Sequence, residues 1–149
     1  MIKYITPEYT TVISEKDFNN RVDKIFKTLY DENPKYWENG LNRSLFKGLG
    51  DKIYLLSDKN QDYGFIGFQR YRMSKDNQLG TGISVGILPQ YRGKGLAKKM
   101  LIDLIQKEID KNEGNLLWSC HKDNKASQAL CKSLMKEKDK ILNNIILQY

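Results

Sequence analysis

Apolar residues recur along this chain with two periods, and the order in which the periods alternate predicts the architecture. Residues 1–14 read as one β-rich segment, and Ser14-Glu15-Lys16-Asp17 has the spacing of a capping box, with Asp where Glu or Gln is usual. Phe18, Val22, Ile25, Phe26 and Leu29 then fall at helical spacing as far as Tyr30. Asn33-Pro34 opens a second helical stretch, with Tyr36, Trp37, Leu41, Leu45 and Leu49 on one side and Gly48 and Gly50 at its end. Ile53–Leu56 and Tyr63–Met73 read as strands, and the polar residues Ser74–Gln78 make a hairpin connection to a strand over Leu79–Leu88. The stripe Leu96, Met100, Leu101, Leu104, Ile105, Ile109 predicts a helix over 94–110. A strand over 116–120, a helix over 124–135 and a strand over Ile141–Tyr149 complete the chain. The order is β-α-α-β-β-β-α-β-α-β, an α/β (mixed α+β) arrangement in a single domain of residues 1–149.

The junction between the strand ending at Leu88 and the helix beginning near residue 94 carries the chemistry. Val85-Gly86-Ile87-Leu88-Pro89 runs into Gln90-Tyr91-Arg92-Gly93-Lys94-Gly95. A strand, a Gly-rich loop and a helix in this order aim unpaired backbone N–H groups at whatever lies before the helix, and phosphates are the usual occupant. Lys94, Lys98 and Lys99 sit in the first turns, where the helix dipole repels cations. A polyphosphate would compensate them. The Gly-x-x-x-x-Gly-Lys-Ser/Thr loop is absent, and Gly80-Thr81-Gly82 leads into a strand, so neither common nucleotide loop fits.

Gln90-x-x-Gly93-x-Gly95 resembles the Q/R-x-x-G-x-G/A signature of the GNAT superfamily of acyl-CoA-dependent N-acyltransferases, as does the Val-x-Ile-x-Pro before it. A second stretch, Asn124-x-Ala126-Ser127-x-x-Leu130, resembles the family's Asn-x-Ala-Ser-x-x-Leu-Tyr helix start, and the two motifs together span residues 79–135. The resemblance implies a central mixed, mostly antiparallel sheet flanked by helices; in departure from the family, only about one strand's worth of chain follows the last helix, so the C-terminal hairpin is expected to be shortened. It implies acetyl-CoA as acyl donor, with Gln90, Arg92, Gly93, Lys94, Gly95, Leu96, Ala97 and Lys98 around the coenzyme A pyrophosphate. Val85, Gly86 and Ile87 would lie along the pantetheine arm, with Gly86 where the family splays two strands, and Asn124 would complete the coenzyme site. For Asp123 or Asn124 a plain helix N-cap is the competing reading.

The chain departs from the family where the chemistry is done. The family's Tyr acid, seven residues after the Asn, is replaced by Cys131, and no carboxylate stands at Thr81, Ile83, Ser84 or Ser119 on the cleft strands. Cys131 has three readings: a small helix residue without chemistry, a proton donor to the leaving thiolate, or an acyl-Cys intermediate. Ser127, one turn earlier on the same face, is the alternative donor. His121 ends the preceding strand and is the one side chain that titrates unaided near neutrality. Deprotonation of the amine falls to His121, to Asp123 or to water.

Composition narrows the partners. Two cysteines, Cys120 and Cys131, and a single His exclude a metal cluster of the Cys/His type, and free thiols fit a cytoplasmic protein. No apolar run reaches membrane-spanning length, and no signal peptide opens the chain. The net charge of +7 is concentrated in residues 51–100, with nine Lys/Arg against four Asp/Glu, around Arg70, Arg72, Arg92, Lys94, Lys98 and Lys99. Anionic coenzyme A accounts for part of it. A nucleic-acid face is allowed but not required.

The expected activity is transfer of an acetyl or similar short acyl group to a primary amine of a small molecule, peptide or protein, by a monomer or homodimer. The acceptor would be framed by residues 30–49, including Tyr36, Trp37 and Glu38. The alternatives are an amine carried on or associated with nucleic acid, and a non-catalytic acyl-CoA-binding module.

Overall fold

The computed structural model of the chain describes residues 3–5, 10–58, 61–73 and 78–149. Its strands are β1 (Lys3–Ile5), β2 (Thr10–Val12), β3 (Lys52–Asp58), β4 (Gln61–Met73), β5 (Gln78–Ile87), β6 (Asn115–Ser119) and β7 (Asn144–Gln148). Among the described residues they form one seven-stranded sheet in the order β2-β1-β3-β4-β5-β6-β7. The β1/β2, β3/β4 and β4/β5 ladders are antiparallel, and they hold most of the paired residues. The β1/β3, β5/β6 and β6/β7 ladders are parallel. Of the connection expected over Ser74–Gln78, residues 74–77 fall outside the described residues and Gln78 opens β5; parts of the segment expected over 1–14 also fall outside them.

Three α-helices flank the sheet: α1 (Glu15–Glu32), α2 (Leu96–Glu108) and α3 (Lys125–Met135). The side-chain period of two sends alternate strand residues into two separate cores. Leu55 and Phe65 meet Phe18, Val22, Ile25, Phe26 and Leu29 of α1 on one face. Tyr54, Leu56, Ile66, Phe68 and Ile83 meet Met100, Leu101, Leu104, Cys131 and Leu134 of α2 and α3 on the other. The expected α1 begins as its sequence says: the Ser14 hydroxyl accepts the Asp17 amide at 3.2 Å.

The second helix expected after Asn33-Pro34 is not an α-helix. Two short 3₁₀ turns, Pro34–Tyr36 and Arg43–Phe46, stand in its place. Gly40 takes φ 77°, which interrupts a helix, and the Asn42 side chain accepts the Ser44 amide to start the second turn. Apolar spacing alone predicts a helix there; turn chemistry overrides it. The segment still delivers Phe46 to the α1 core, where its ring lies 6.4 Å from both Phe26 and Phe65.

At the C-terminal end the length of chain left after the last helix predicts a shortened hairpin. What remains is one strand. Helix α3 crosses back over the sheet, so β7 lies parallel to β6, from Asn115↔Asn144 to Ser119↔Gln148.

Gly86 is fixed by packing. A Cβ there would stand 2.4 Å from Leu29 Cδ1 and 2.7 Å from Phe65 Cε1, so α1 sits directly on β5. Gly86→Ala is expected to cost about 1–3 kcal/mol through overpacking, read as a lowered urea midpoint at unchanged m-value.

Candidate active site

Strands β5 and β6 separate. Their registered pairs run from Gly80↔Asn115 to Ile83↔Trp118 and stop there. Residues Ser84 to Ile87 remain paired only to β4. The gap opens a cavity of about 600 Å³ lined from both faces of the sheet. Leu29, Glu32, Asn33, Tyr36 and Trp37 come from the α1 face. Tyr91 to Lys98 and Asp123 to Ser127 come from the α2/α3 face, with Val85, Gly86, Ile87 and Trp118 between. A hollow of similar volume, about 610 Å³, lies on the outer side of α1. There Arg43 pairs with Asp23 at 2.8 Å and Lys27 with Asp31 at 2.6 Å, and no strand gap leads into it.

The Gly-rich loop lies at one end of the through-going cavity. Gly93 and Gly95 hold φ 78° and 70°, and an added Cβ at either would meet nothing within 4 Å. Both need the left-handed conformation that glycine adopts without strain. Gly95 is the α2 N-cap and supplies no side-chain cap; the Lys99 amide donates to its carbonyl at 3.2 Å. The amides of the first helical turn therefore point into open space, a cradle of a size and polarity that fit a pyrophosphate.

The loop is braced before any anion arrives. The Tyr91 ring meets Tyr63 edge-on at 4.7 Å, and the Leu88 amide donates to Tyr63 O at 2.8 Å. Arg92 donates from Nε to Ile87 O at 2.9 Å and grips Glu32 of α1 with both terminal nitrogens, at 2.8 and 2.6 Å. Lys98 pairs with Glu137 at 3.1 Å, which holds that carboxyl below the usual carboxylate range. Arg70 lies away from the cavity and binds Thr81 Oγ1 at 2.8 Å and Glu108 O at 3.2 Å. Three of the middle-third cations, Arg70, Arg92 and Lys98, are thus held by internal partners.

Across the gap a second brace joins the first 3₁₀ turn to the β6–α3 loop. The Tyr36 hydroxyl donates to Asp123 O at 3.2 Å, and Lys35 donates to the Asp123 carboxylate at 3.3 Å. That ammonium holds the Asp123 carboxyl below its ordinary range, which makes it a poor base. The Tyr36 ring lies 5.7 Å from His121. His121 Nδ1 accepts the Asp123 amide at 3.1 Å, so the neutral ring carries its proton on Nε2. His121 is not among the residues lining the cavity. Its geometry braces the loop.

Of the residues singled out in sequence, Val85, Gly86, Ile87, Arg92, Gly93, Lys94, Gly95, Leu96, Ala97, Lys98, Asn124 and Ser127 converge on the cavity. Gln90 is exposed on the short turn Pro89–Tyr91 and does not line it. Asn124 accepts the Ser127 amide at 3.2 Å and so caps α3. Ser127 Oγ accepts the Trp118 indole N–H at 2.8 Å, which leaves its own proton for another acceptor.

Cys131 is elsewhere. It is fully buried among the α2/α3 core residues and does not line the cavity. Burial pushes its thiol from 9.0 up to about 11. A thiol facing the core has no route to a departing sulfur, and the same burial leaves no room for an acyl group. The unfolded thiol ionises from about pH 9 while the folded one stays protonated to about pH 11, so stability falls across that window. The expected loss is on the order of 2 kcal/mol. Urea unfolding at pH 8 and pH 11 checks it, and Cys131→Ala should flatten that part of the slope.

Tyr36 and Trp37, expected from the sequence to frame the acceptor, line the cavity and Glu38 does not; Glu32, Lys35 and Trp118 are neighbours to which the sequence reading gave no role of their own. Only Trp118 left a signal, since a buried indole N–H needs an acceptor nearby.

The sequence matches the acetyltransferase (GNAT) family over residues 22–135, and the chain belongs to that family. It is an acyltransferase of the GNAT type. No curated protein is similar enough in sequence to match it. Among solved structures, an aminoglycoside acetyltransferase from an uncultured soil metagenomic sample, crystallised with trehalose, shares 11% identity at a TM-score of 0.57. That match covers 78% of this chain and 82% of the other. A ribosomal-protein-alanine N-acetyltransferase from Brucella melitensis shares 21% identity over 83% and 80%, with a TM-score of 0.51. A transcriptional regulator from Bacillus halodurans C-125 shares 12% over 83% and 89%, with a TM-score of 0.60. At these identities the likeness is one of fold. Among the described residues no helix is long and apolar enough to cross a membrane, and no cluster of His, Cys, Asp or Glu could hold a metal.

Proposed function

We propose that this chain transfers an acetyl or similar short acyl group from acyl-CoA to a primary amine. The observation that carries the reading is the cavity through the sheet, with the open N-terminus of α2 at one end and an aromatic wall at the other. In it the loop amides of Gly93 to Lys98 take the pyrophosphate, Lys94 supplies countercharge, and Val85 to Ile87 line the slot for the pantetheine arm. The acceptor amine enters from the Glu32–Trp37 side. The amine nitrogen attacks the thioester carbonyl, the C–S bond breaks as the C–N bond forms, and the sulfur leaves as thiolate. Ser127 relays a proton to that sulfur and is reprotonated through water by the proton that the new amide nitrogen sheds, in the place that Cys131 vacates by lying in the core. No side chain is assigned as base, because Asp123 is tied to Lys35 and His121 to the Asp123 amide. Water takes the ammonium proton, and the rate with any acceptor follows the neutral fraction of its amine. The free thiols Cys120 and Cys131 suit a reducing compartment.

Two measurements test the reading: calorimetric titration with coenzyme A, and thiol release from acetyl-CoA with a panel of primary amines. Binding with turnover is the expected result. Binding without turnover of any amine leaves a carrier module, and absence of binding removes the coenzyme site.

A further inference from the structure

Resting on the acetyltransferase reading above, we infer that the acceptor is a small monoamine on an aromatic or apolar body, of the arylalkylamine class, and not a polycation. The argument is one of charge and surface at the α1 end of the cavity. Leu29, Tyr36 and Trp37 form its wall, and Trp37 is backed by Phe65 at 6.1 Å between ring centroids. The Tyr36 ring is held in place by its bond to Asp123 O. Such a wall gains by burying a flat apolar group.

The cavity's acids are already committed. Glu32 and Asp123 are the two carboxylates lining it, against Arg92, Lys94, Lys98 and Lys125. Both oxygens of Glu32 are held by Arg92, and Asp123 is held by Lys35. A polyamine or aminoglycoside carries several ammonium groups, and each needs an uncompensated carboxylate or an exposed position. Here such a ligand finds no carboxylate on the cavity wall without displacing Arg92 from Glu32 or Lys35 from Asp123. A monoamine carries one titratable nitrogen and reacts as the neutral base. Every further ammonium on the acceptor is left without a partner carboxylate on the cavity wall.

The test uses the intact protein with acetyl-CoA and four acceptors: 2-phenylethylamine, spermidine, kanamycin and an alanine-initiated peptide. The expected kcat/KM for 2-phenylethylamine exceeds each of the others by about tenfold or more, as a fitted apolar pocket can discriminate. Trp37→Ala should lower that value about tenfold, mainly through KM, with coenzyme A affinity unchanged. Trp37→Leu, which keeps the α1 core filled, should recover part of the loss. A preference for spermidine, kanamycin or the peptide overturns the inference, and so does a Trp37→Ala loss that is equal for all four acceptors. If none is acetylated, calorimetry on the coenzyme A complex decides separately. Tighter 2-phenylethylamine than spermidine supports the inference while the transferase reading falls. Tighter spermidine, or no binding of either, overturns it.

Discussion

Gly95→Asp abolishes coenzyme A binding, by at least about two orders of magnitude, in a protein that still folds. The two halves of this expectation have separate causes. Asp is among the side chains best suited to a helix N-cap, and with Asn it tolerates the left-handed conformation better than other residues. The strain at φ 70° therefore costs on the order of 1 kcal/mol and is partly offset by capping. The carboxylate, however, occupies the open space before the α2 amides, where an added Cβ meets nothing within 4 Å. It satisfies those amides internally and repels a second anion. Gly93→Asp acts on the same cradle from φ 78° and should do the same. Gly95→Ala isolates the strain and should weaken binding by no more than about tenfold. Calorimetry with coenzyme A reads the affinity, and a thermal melt reads the fold. Retained binding in both Asp variants places the coenzyme elsewhere.

What could be read from the sequence was whatever a local pattern encodes. Helix α1 follows from Phe18, Val22, Ile25, Phe26 and Leu29 and begins at its capping serine, as the spacing says. The loop from Gln90 to Gly95 announces an anion cradle because strand, glycines and helix are contiguous. The misread segment, residues 33–49, also carries a local pattern, yet Gly40 and Asn42 give its backbone cheaper alternatives than a helix. Periodicity reports which side chains seek burial, and a pair of tight turns can bury Phe46 equally well.

Other features of the site had no local signal at all. Glu32 and Arg92 are 60 residues apart, and Tyr36 and Asp123 are 87 apart. Nothing in either neighbourhood marks such a pairing, because only the packing of α1 across the face of the sheet brings the first pair together. Cys131 illustrates the converse. Its place in a motif invites chemistry, but an eleven-residue helix laid on a sheet turns one side fully inward, and residues Gln128, Cys131 and Leu134 are that side. Ser127 and Leu130 lie off it and line the cavity. A helical register error of one position would exchange the two outcomes, which is why a motif position alone did not settle the role of Cys131.

That division between the two sides of α3 carries the second large effect. Ser127→Ala should lower kcat about ten- to a hundredfold, the low end for acid–base catalysis, because a coenzyme A thiolate is already a fair leaving group. Coenzyme A affinity should hold, since the pyrophosphate cradle is untouched. The substitution also strips the Trp118 indole N–H of its acceptor, and a buried donor left unpaired costs about 1–3 kcal/mol. A melting temperature lowered without loss of coenzyme binding separates that structural effect from the chemical one. Ser127→Thr keeps the hydroxyl, and with it the acceptor for the Trp118 indole N–H, and should restore both most of kcat and the melting temperature. Cys131→Ala, in contrast, should leave kcat and its pH profile within about twofold, because the thiol lies in the core. If Ser127→Ala turns over at the wild-type rate, solvent protonates the thiolate. A loss confined to KM for acetyl-CoA makes Ser127 a binding group and no acid.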